Sequence, residues 1–262
     1  MSMLITLTTD FGYVDPFVGI MKGVIARINP QAQIVDISHG VPPQDIMAAA
    51  LMLRHAVSYF PPGTIHLAIV DPGVGSERRP LLVECEGNYF IGPDNGVLSL
   101  ALENKQPTCL VHLSNPAYHL EPVSATFHGR DVFAPVAAYC SLGVDPSAFG
   151  AALDNFVRVN WPSVMKSDNA IEGEIVYIDR FGNLFTNVRE QDLTGFRREH
   201  VSVRLGEVTI HGLASNYASA RGEKFVAIIN SWRLLEIASR NNSAQRRTSA
   251  KIGDKVQILV DS

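Results

Sequence analysis

Ile65-His66-Leu67-Ala68-Ile69-Val70-Asp71-Pro72-Gly73-Val74-Gly75-Ser76-Glu77-Arg78 is an apolar run that ends in a Pro- and Gly-rich loop. The run, Ile65 to Val70, reads as a buried strand. The loop after it presents an acid, Asp71, and a base, Arg78, seven residues apart. Strand-end loops are where an open α/β sheet keeps its chemistry. Glycine lets such a loop take positive φ and approach a ligand closely. A tight surface turn with a solvated Asp and Arg fits the same residues, so the loop does not decide alone. Two other stretches share its polar, Gly-containing character: Thr8-Thr9-Asp10-Phe11-Gly12 and Thr126-Phe127-His128-Gly129-Arg130-Asp131.

Upstream, Met3 to Thr8 reads as a first strand. Phe17, Ile20, Met21, Val24, Ile25 and Ile28 have helical spacing with one apolar face, and Asn29-Pro30 ends that helix. Gln33 to Ile37 is a second strand and Ile46 to Tyr59 a second helix. This order predicts parallel strands joined by right-handed crossovers. Downstream, Leu81 to Cys85 and Tyr89 to Ile91 form a hairpin around Glu86-Gly87-Asn88. Asp94-Asn95-Gly96 opens a short helix through Leu102, residues 107–125 are irregular, and Asp131 to Leu142 is helical with Pro135 in its first turn.

Asn160 to Asn169 reads as a linker. Beyond it come short alternating or apolar runs: Ile171 to Ile178, Val201 to Leu205, Val208 to His211, Phe225 to Ile229, Leu234 to Ala238 and Val256 to Val260. Such runs suggest a small barrel or sandwich. Arg240 to Lys251 reads as a solvated loop that can also line an anionic site. The expected fold is an α/β N-terminal domain with a mostly parallel central sheet (residues 1–160) and a smaller all-β, barrel-like C-terminal domain (170–262).

The 262 residues are 46% hydrophobic and 18% charged, with a net charge of −4. Such a chain has no bulk basic field for nucleic acid. Residues 1–169 carry 9 Lys+Arg and 15 Asp+Glu, net −6, whereas 170–262 carry 13 and 11, net +2. That split favours two domains and contact between unlike halves of neighbouring subunits. Cys85, Cys109 and Cys140 have no CxxC spacing, which favours a reducing cytoplasm over a disulfide framework. No apolar stretch has membrane-spanning length, and no leader pattern precedes the first strand.

Asp10 at a strand end can accept both hydrogen bonds of a ribose diol. Asp15 near the helix start suits capping as readily as binding. Gly12 stands alone, so a GxGxxG pyrophosphate site is not supported. The histidines show no HxH, HxxxH or HExxH spacing, which speaks against a metal hydrolase, and GxSxG and P-loop motifs are absent. In the second domain, Asp179, Phe181 and Asn183 follow a strand, and Asn230-Ser231-Trp232 with Glu236 flank a turn. An Asn amide can read an adenine edge, and Phe181 or Trp232 can stack on a base.

Together these stretches resemble the S-adenosylmethionine hydroxide adenosyltransferase family, which is related to the bacterial fluorinase and chlorinase. The resemblance runs through Thr9-Asp10-Phe11-Gly12, Val70 to Gly75, Arg78, Gly92-Pro93-Asp94-Asn95-Gly96, Thr126 to Asp131, Asp179 to Asn187 and Asn230-Ser231. It implies a homotrimer whose active sites lie between one subunit's N-terminal domain and its neighbour's C-terminal domain. The family's Asp-Arg-His set falls on Asp71, Arg78 and His128 as catalytic residues. Substrate binding falls on Asp10 (ribose), Asn183 (adenine), Ser231 with Glu236 or Asp179 (amino-acid end), and on Asp15, Phe127 and Phe181. Halogenating relatives carry Tyr where this chain has Asp71. The fluorinase has Tyr-Ser in place of His128-Gly129 and an insertion that this chain lacks. Trp232-Arg233 and Asn242 depart from the family pattern, which favours Gly after the aromatic and in place of Asn242. The implied reaction is hydrolysis of S-adenosylmethionine to adenosine and methionine, with no metal and no separate cofactor. The alternatives are a halide-using transferase of the same fold and a nucleoside-binding protein without turnover.

Overall fold

The first strand, β1 (Leu4–Thr9), is buried along nearly its whole length, and the chain folds back onto it twice. The structure, a computed structural model, describes residues 4–167, 169–219 and 224–260. The chain divides into two compact units, Met1–Val159 and Asn160–Ser262.

In the first unit β1 is followed by α1 (Phe17–Ile28), β2 (Gln33–Ser38), α2 (Ile46–Val57) and β3 (Ile65–Ile69). Helix α1 buries Val18, Met21 and Ile25 on one face. Asp45 caps α2 by accepting from the Ala48 amide at 2.9 Å. Strands β4 (Pro80–Cys85), β5 (Asn88–Pro93) and β6 (Cys109–Leu113), then α3 (Ala134–Ser141) and β7 (Gly150–Ala152), complete the unit. The core joins Ile5, Leu7, Met21, Ile25, Ile65 and Leu67 to Val132, Phe133 and the nearly all-buried α3.

The sheet order is β2-β1-β3-β5-β4-β6-β7. The expectation of a mostly parallel sheet is corrected here: the sheet is mixed. Strands β2, β1, β3 and β5 pair in parallel, whereas β5-β4, β4-β6 and β6-β7 are antiparallel. The reason lies at Glu86 and Gly87, with φ of +50° and +74°. A two-residue turn with both φ positive closes a hairpin, and no crossover helix fits in it.

Three local expectations also change. Residues 94–104 form successive turns rather than a helix, with Ser99 N bonded to Gly96 O at 3.0 Å and Leu102 N to Ser99 O at 3.3 Å. The stretch read as irregular contains β6. The helix expected over Asp131 to Leu142 is there as α3, but it opens in a wide π-type turn, Gly129–Phe133. Pro135 sits in the first turn of α3, where its missing N–H leaves no gap.

The second unit is antiparallel. Its strands are β8 (Met165–Ser167), β9 (Ala170–Ile178), β10 (Leu184–Arg189), β11 (Val201–Leu205), β12 (Val208–His211), β13 (Val226–Ile229), β14 (Leu234–Ala238) and β15 (Lys255–Val260). The order is β12-β11-β15-β9-β10-β14-β13, with β8 on β9. Ala214, just past β12, donates to Ala227 O of β13 at 2.9 Å, so the sheet nearly closes into a barrel. Strand β10 falls outside the sequence expectation because Thr186 and Asn187 interrupt its apolar pattern. Both are buried and bonded, Thr186 Oγ1 to Leu235 O at 2.9 Å and Asn187 Nδ2 to Pro162 O at 3.1 Å. The run Arg240 to Lys251, expected as a loop, contains α4 (Ala244–Thr248), capped by Ser243.

Candidate active site

Strands β1 and β3 lie side by side, with Thr9 opposite Ile69. The residues that follow them therefore emerge together at the C-terminal ends of two parallel strands inside the sheet. Asp10 follows β1 directly and Asp71 lies two residues past β3. Asn95 steadies these strand ends, its Nδ2 donating to Val70 O at 2.8 Å. Gly75, with φ of +79°, brings the loop onto the segment leading to His128: a Cβ there would lie 2.3 Å from Ala125 O. Asp131 anchors that segment by accepting from Ser124 N at 2.8 Å and pairing with Arg130.

Arg78 meets Asp71 with two arms, Nε to Oδ1 at 3.0 Å and Nη2 to Oδ2 at 2.5 Å. Its Nη2 also lies 2.7 Å from His128 Nδ1. A guanidinium has only donors, so Nδ1 accepts and the neutral ring carries its proton on Nε2. Burial, then the Arg78 charge, lowers the His128 pKa, while Asp71 and Asp131 pull it up less strongly. The imidazole is thus neutral at pH 7. The Arg78 and Asp71 side chains are 9% and 6% exposed, so water screens the pair little. Arg78 Nη1 is buried and has no hydrogen-bond partner among the described residues.

A cavity of about 480 Å³ is lined by Asp10, Asp15, Asp71, Phe127 and His128, with Phe11, Phe17 and Gln44. Three of these rings pack edge to face: Phe11–Phe17 at 5.8 Å, Phe11–Phe127 at 6.0 Å and Phe17–Phe127 at 5.3 Å. Asp10 accepts from the Gln44 amide at 2.8 Å. Asp15 makes no side-chain cap: α1 begins after Pro16, leaving the carboxylate exposed.

A separate cavity of about 710 Å³ lies in the second unit, lined by Asp179, Phe181, Asn183, Tyr217, Arg240, Asn241 and Asn242, among others. Asp179 organises its own loop, accepting from Phe181 N at 2.9 Å, Asn183 N at 2.8 Å and Asn183 Nδ2 at 3.0 Å. Glu236 does not line this cavity. It is buried, accepting from Tyr217 Oη at 2.8 Å and Asn230 Nδ2 at 3.1 Å, and burial raises its pKa. Ser231 is exposed in the turn after β13 and does not line it either. Sequence reasoning did not single out Gln44 or Tyr217, which carry no motif. It left Arg240 inside a polar run with two readings. No group of three or more His, Cys, Asp or Glu among the described residues is placed to hold a metal ion.

Residues 5–150 match the SAM hydroxide adenosyltransferase N-terminal domain, and residues 173–257 match the C-terminal domain of the same family. The chain belongs to the SAM hydroxide adenosyltransferase family. Similar relatives include an (R)-S-adenosyl-L-methionine hydrolase of Thermus thermophilus, 36% identical over 96% of this chain and 97% of the relative. Another of that name, from Methanocaldococcus jannaschii, is 32% identical over 98% and 95%. A fluorinase of Nocardia brasiliensis is 26% identical over 98% and 97%. An uncharacterized conserved protein of Thermotoga maritima superposes with a TM-score of 0.90 at 33% identity, covering 98% of this chain and all of that one. Both halves of the SAM hydroxide adenosyltransferase pattern are therefore present in one chain.

Proposed function

We propose that this protein hydrolyses S-adenosyl-L-methionine to adenosine and L-methionine. The observation that carries the reading is the Asp71–Arg78–His128 contact, two of whose members line the cavity that also holds Asp10. Water or hydroxide attacks C5′ of the ribose in line with the C–S bond. The new C–O bond forms as the C–S bond breaks, the sulfonium leaves as a neutral thioether, and one proton goes to solvent. A neutral leaving group needs no acid and no Lewis acid, so the reaction needs neither a metal nor a separate cofactor.

Catalysis then rests on holding and activating the nucleophile. His128 Nε2–H donates to its oxygen, and the Arg78 charge behind the ring favours developing hydroxide character. With Nδ1 taken by Arg78, the ring cannot accept the proton without changing tautomer. Asp71 fixes the guanidinium. Asp10 holds the ribose hydroxyls, while Asp15 and the faces of Phe11, Phe17 and Phe127 suit a cationic sulfonium. Asn183 and Phe181 serve the adenine, and Asp179, Ser231 and Glu236 the amino-acid end, Glu236 acting through its partners.

The complete site is proposed to join one subunit's N-terminal unit to its neighbour's C-terminal unit in a homotrimer. Exposed Tyr13, Val14 and Phe17, at 70%, 99% and 41%, give a partner apolar surface beside the first cavity. No helix among the described residues is long and apolar enough to cross a membrane. The free thiols of Cys85, Cys109 and Cys140 suit a reducing cytoplasm, where we place the protein.

The test compares wild type with Arg78→Ala and His128→Ala for adenosine release from S-adenosylmethionine, with and without chloride. Adenosine from wild type and large losses in both variants support the reading. A 5′-chloro product, or full activity in both variants, contradicts it.

A further inference from the structure

Four polar side chains that this reaction does not use form a chain beside the Asp10-Phe11-Gly12 loop. Thr9 Oγ1 lies 2.8 Å from His39 Nδ1. His39 Nε2 lies 3.2 Å from Asp36 Oδ1. Asp36 Oδ2 accepts from Lys22 Nζ at 2.6 Å. A hydroxyl, an imidazole and a carboxylate in that order are the parts of a nucleophilic triad. Burial rules that role out: Thr9 is 0% and His39 1% exposed, and neither lines the cavity.

The chain delivers its hydrogen bonds to the loop instead. Phe11 N–H donates to Thr9 Oγ1 at 3.2 Å. Gly12 N–H donates to the His39 carbonyl at 2.8 Å. His39 thereby holds two successive amides, one through Thr9 and one directly. The Asp36 carboxylate faces Nε2 and favours the ring proton there, so Nδ1 accepts from Thr9 Oγ1, whose lone pairs stay open to Phe11 N–H. The Nε2–Oδ1 contact is poorly aligned for a hydrogen bond, and burial lowers the His39 pKa, so the carboxylate attracts the N–H dipole of a neutral ring. Tyr13 flanks the chain, its Oη 3.3 Å from Asp36 Oδ2 and its ring edge-on to His39 at 5.1 Å. On the other side of the loop, the Gln44 amide holds Asp10 Oδ2 at 2.8 Å.

We propose that His39 is a positioning residue that sets the Asp10 carboxylate and the Phe11 ring against the ribose, with Asp36 and Lys22 setting His39. This rests on the reading of the cavity as a nucleoside site. It makes a network outside the cavity lining a determinant of substrate grip.

A double-mutant cycle tests it: wild type, Asp10→Ala, His39→Ala and the double variant, measured for KM and kcat with S-adenosylmethionine and for adenosine affinity by calorimetry. His39→Ala keeps the carbonyl that holds Gly12 and removes the ring that holds Thr9, so it is expected to raise KM and the adenosine Kd roughly fivefold, the scale of one lost hydrogen bond. Its kcat stays within about threefold, because a ribose grip is the same in ground and transition states. In the Asp10→Ala background the same change adds less than about twofold. Penalties that multiply independently, or a fall in kcat at unchanged KM, overturn the inference. Should His39→Ala not fold, Asp36→Asn closes the cycle with a smaller KM rise and the same coupling to Asp10. A wild type that binds adenosine but releases none from S-adenosylmethionine contradicts the proposed function alone, and the cycle is then closed on affinity. A wild type that binds no adenosine overturns both.

Discussion

Arg78 and His128 meet nitrogen to nitrogen, Nη2 to Nδ1 at 2.7 Å, and this contact decides which way the imidazole proton points. Because Nδ1 must accept, Nε2–H is the donor left for the nucleophile in the proposed reaction. Protonating the ring would remove the acceptor and set a second cation against Arg78. Burial and Arg78 already hold the His128 pKa below its usual 6.5. The acid limb of kcat/KM is therefore expected below pH 6.5, with activity falling as pH drops through it. Nitrogen chemical shifts of the ring should report the Nε2–H tautomer at pH 7. An acid limb above 6.5, or an Nδ1–H tautomer, contradicts this account.

Removing one partner of the Arg78–Asp71 pair leaves a charge in a shielded place, since the Asp71 side chain is 6% exposed. Arg78→Ala should lower stability by about 3 kcal/mol in urea unfolding as well as abolish most activity. The double change Asp71→Asn with Arg78→Met should recover much of the stability and none of the activity. Equal recovery of both would show that the pair serves folding alone.

Gly75 closes the Asp71 loop onto Ala125, three residues before His128. At φ of +79°, with Ala125 O 2.3 Å from a would-be Cβ, Gly75→Ala has to move the backbone. A loss of about 1–3 kcal/mol in stability and at least tenfold in kcat is expected. Gly63 is the control: φ is +86°, yet no atom lies within 4 Å of its would-be Cβ. Gly63→Ala should reduce stability without changing kcat. The same kcat for both variants would remove the loop contact from the account.

His66 bears on stability rather than catalysis. It is fully buried, bonded through Nδ1 to Thr6 Oγ1 at 2.8 Å and stacked on Phe90 at 5.2 Å. Burial depresses its pKa to about 4, so the folded ring stays neutral where the unfolded ring takes a proton. Stability from this group is complete above pH 6.5 and declines as pH falls from there toward about 4. The full span amounts to about 3 kcal/mol. His66→Gln should therefore lose less stability between pH 7 and pH 5 than wild type does. A steeper loss in the variant contradicts the burial argument.

Much of the fold was legible because its cues were local. Helix α1 shows a clear apolar face and an Asn29-Pro30 stop, and the first three strands alternate with helices. The mixed sheet was not legible as such, although the Glu86-Gly87 turn that reverses the chain stood within the expected hairpin. Strand β10 was hidden by Thr186 and Asn187, whose burial depends on partners far along the chain. At the site, Asp10, Asp71 and His128 could be picked from strand ends and a Gly-flanked segment, Asp15 and Phe127 followed from the family resemblance, and all five line one cavity. Tyr217, Gln44 and the His39 network could not, because single residues in ordinary segments carry no signal until the fold assembles them.

Attack of water on the ribose carbon of S-adenosylmethionine, as proposed for this site, leaves a solvent oxygen in the adenosine. Purified protein incubated with S-adenosylmethionine in water enriched in heavy oxygen, with chloride present, tests it most directly by mass spectrometry of the products. Methionine and adenosine are expected in equal amounts, with one heavy oxygen at the adenosine 5′ position. Unlabelled adenosine, a 5′-chloro nucleoside, or intact substrate would contradict the proposal.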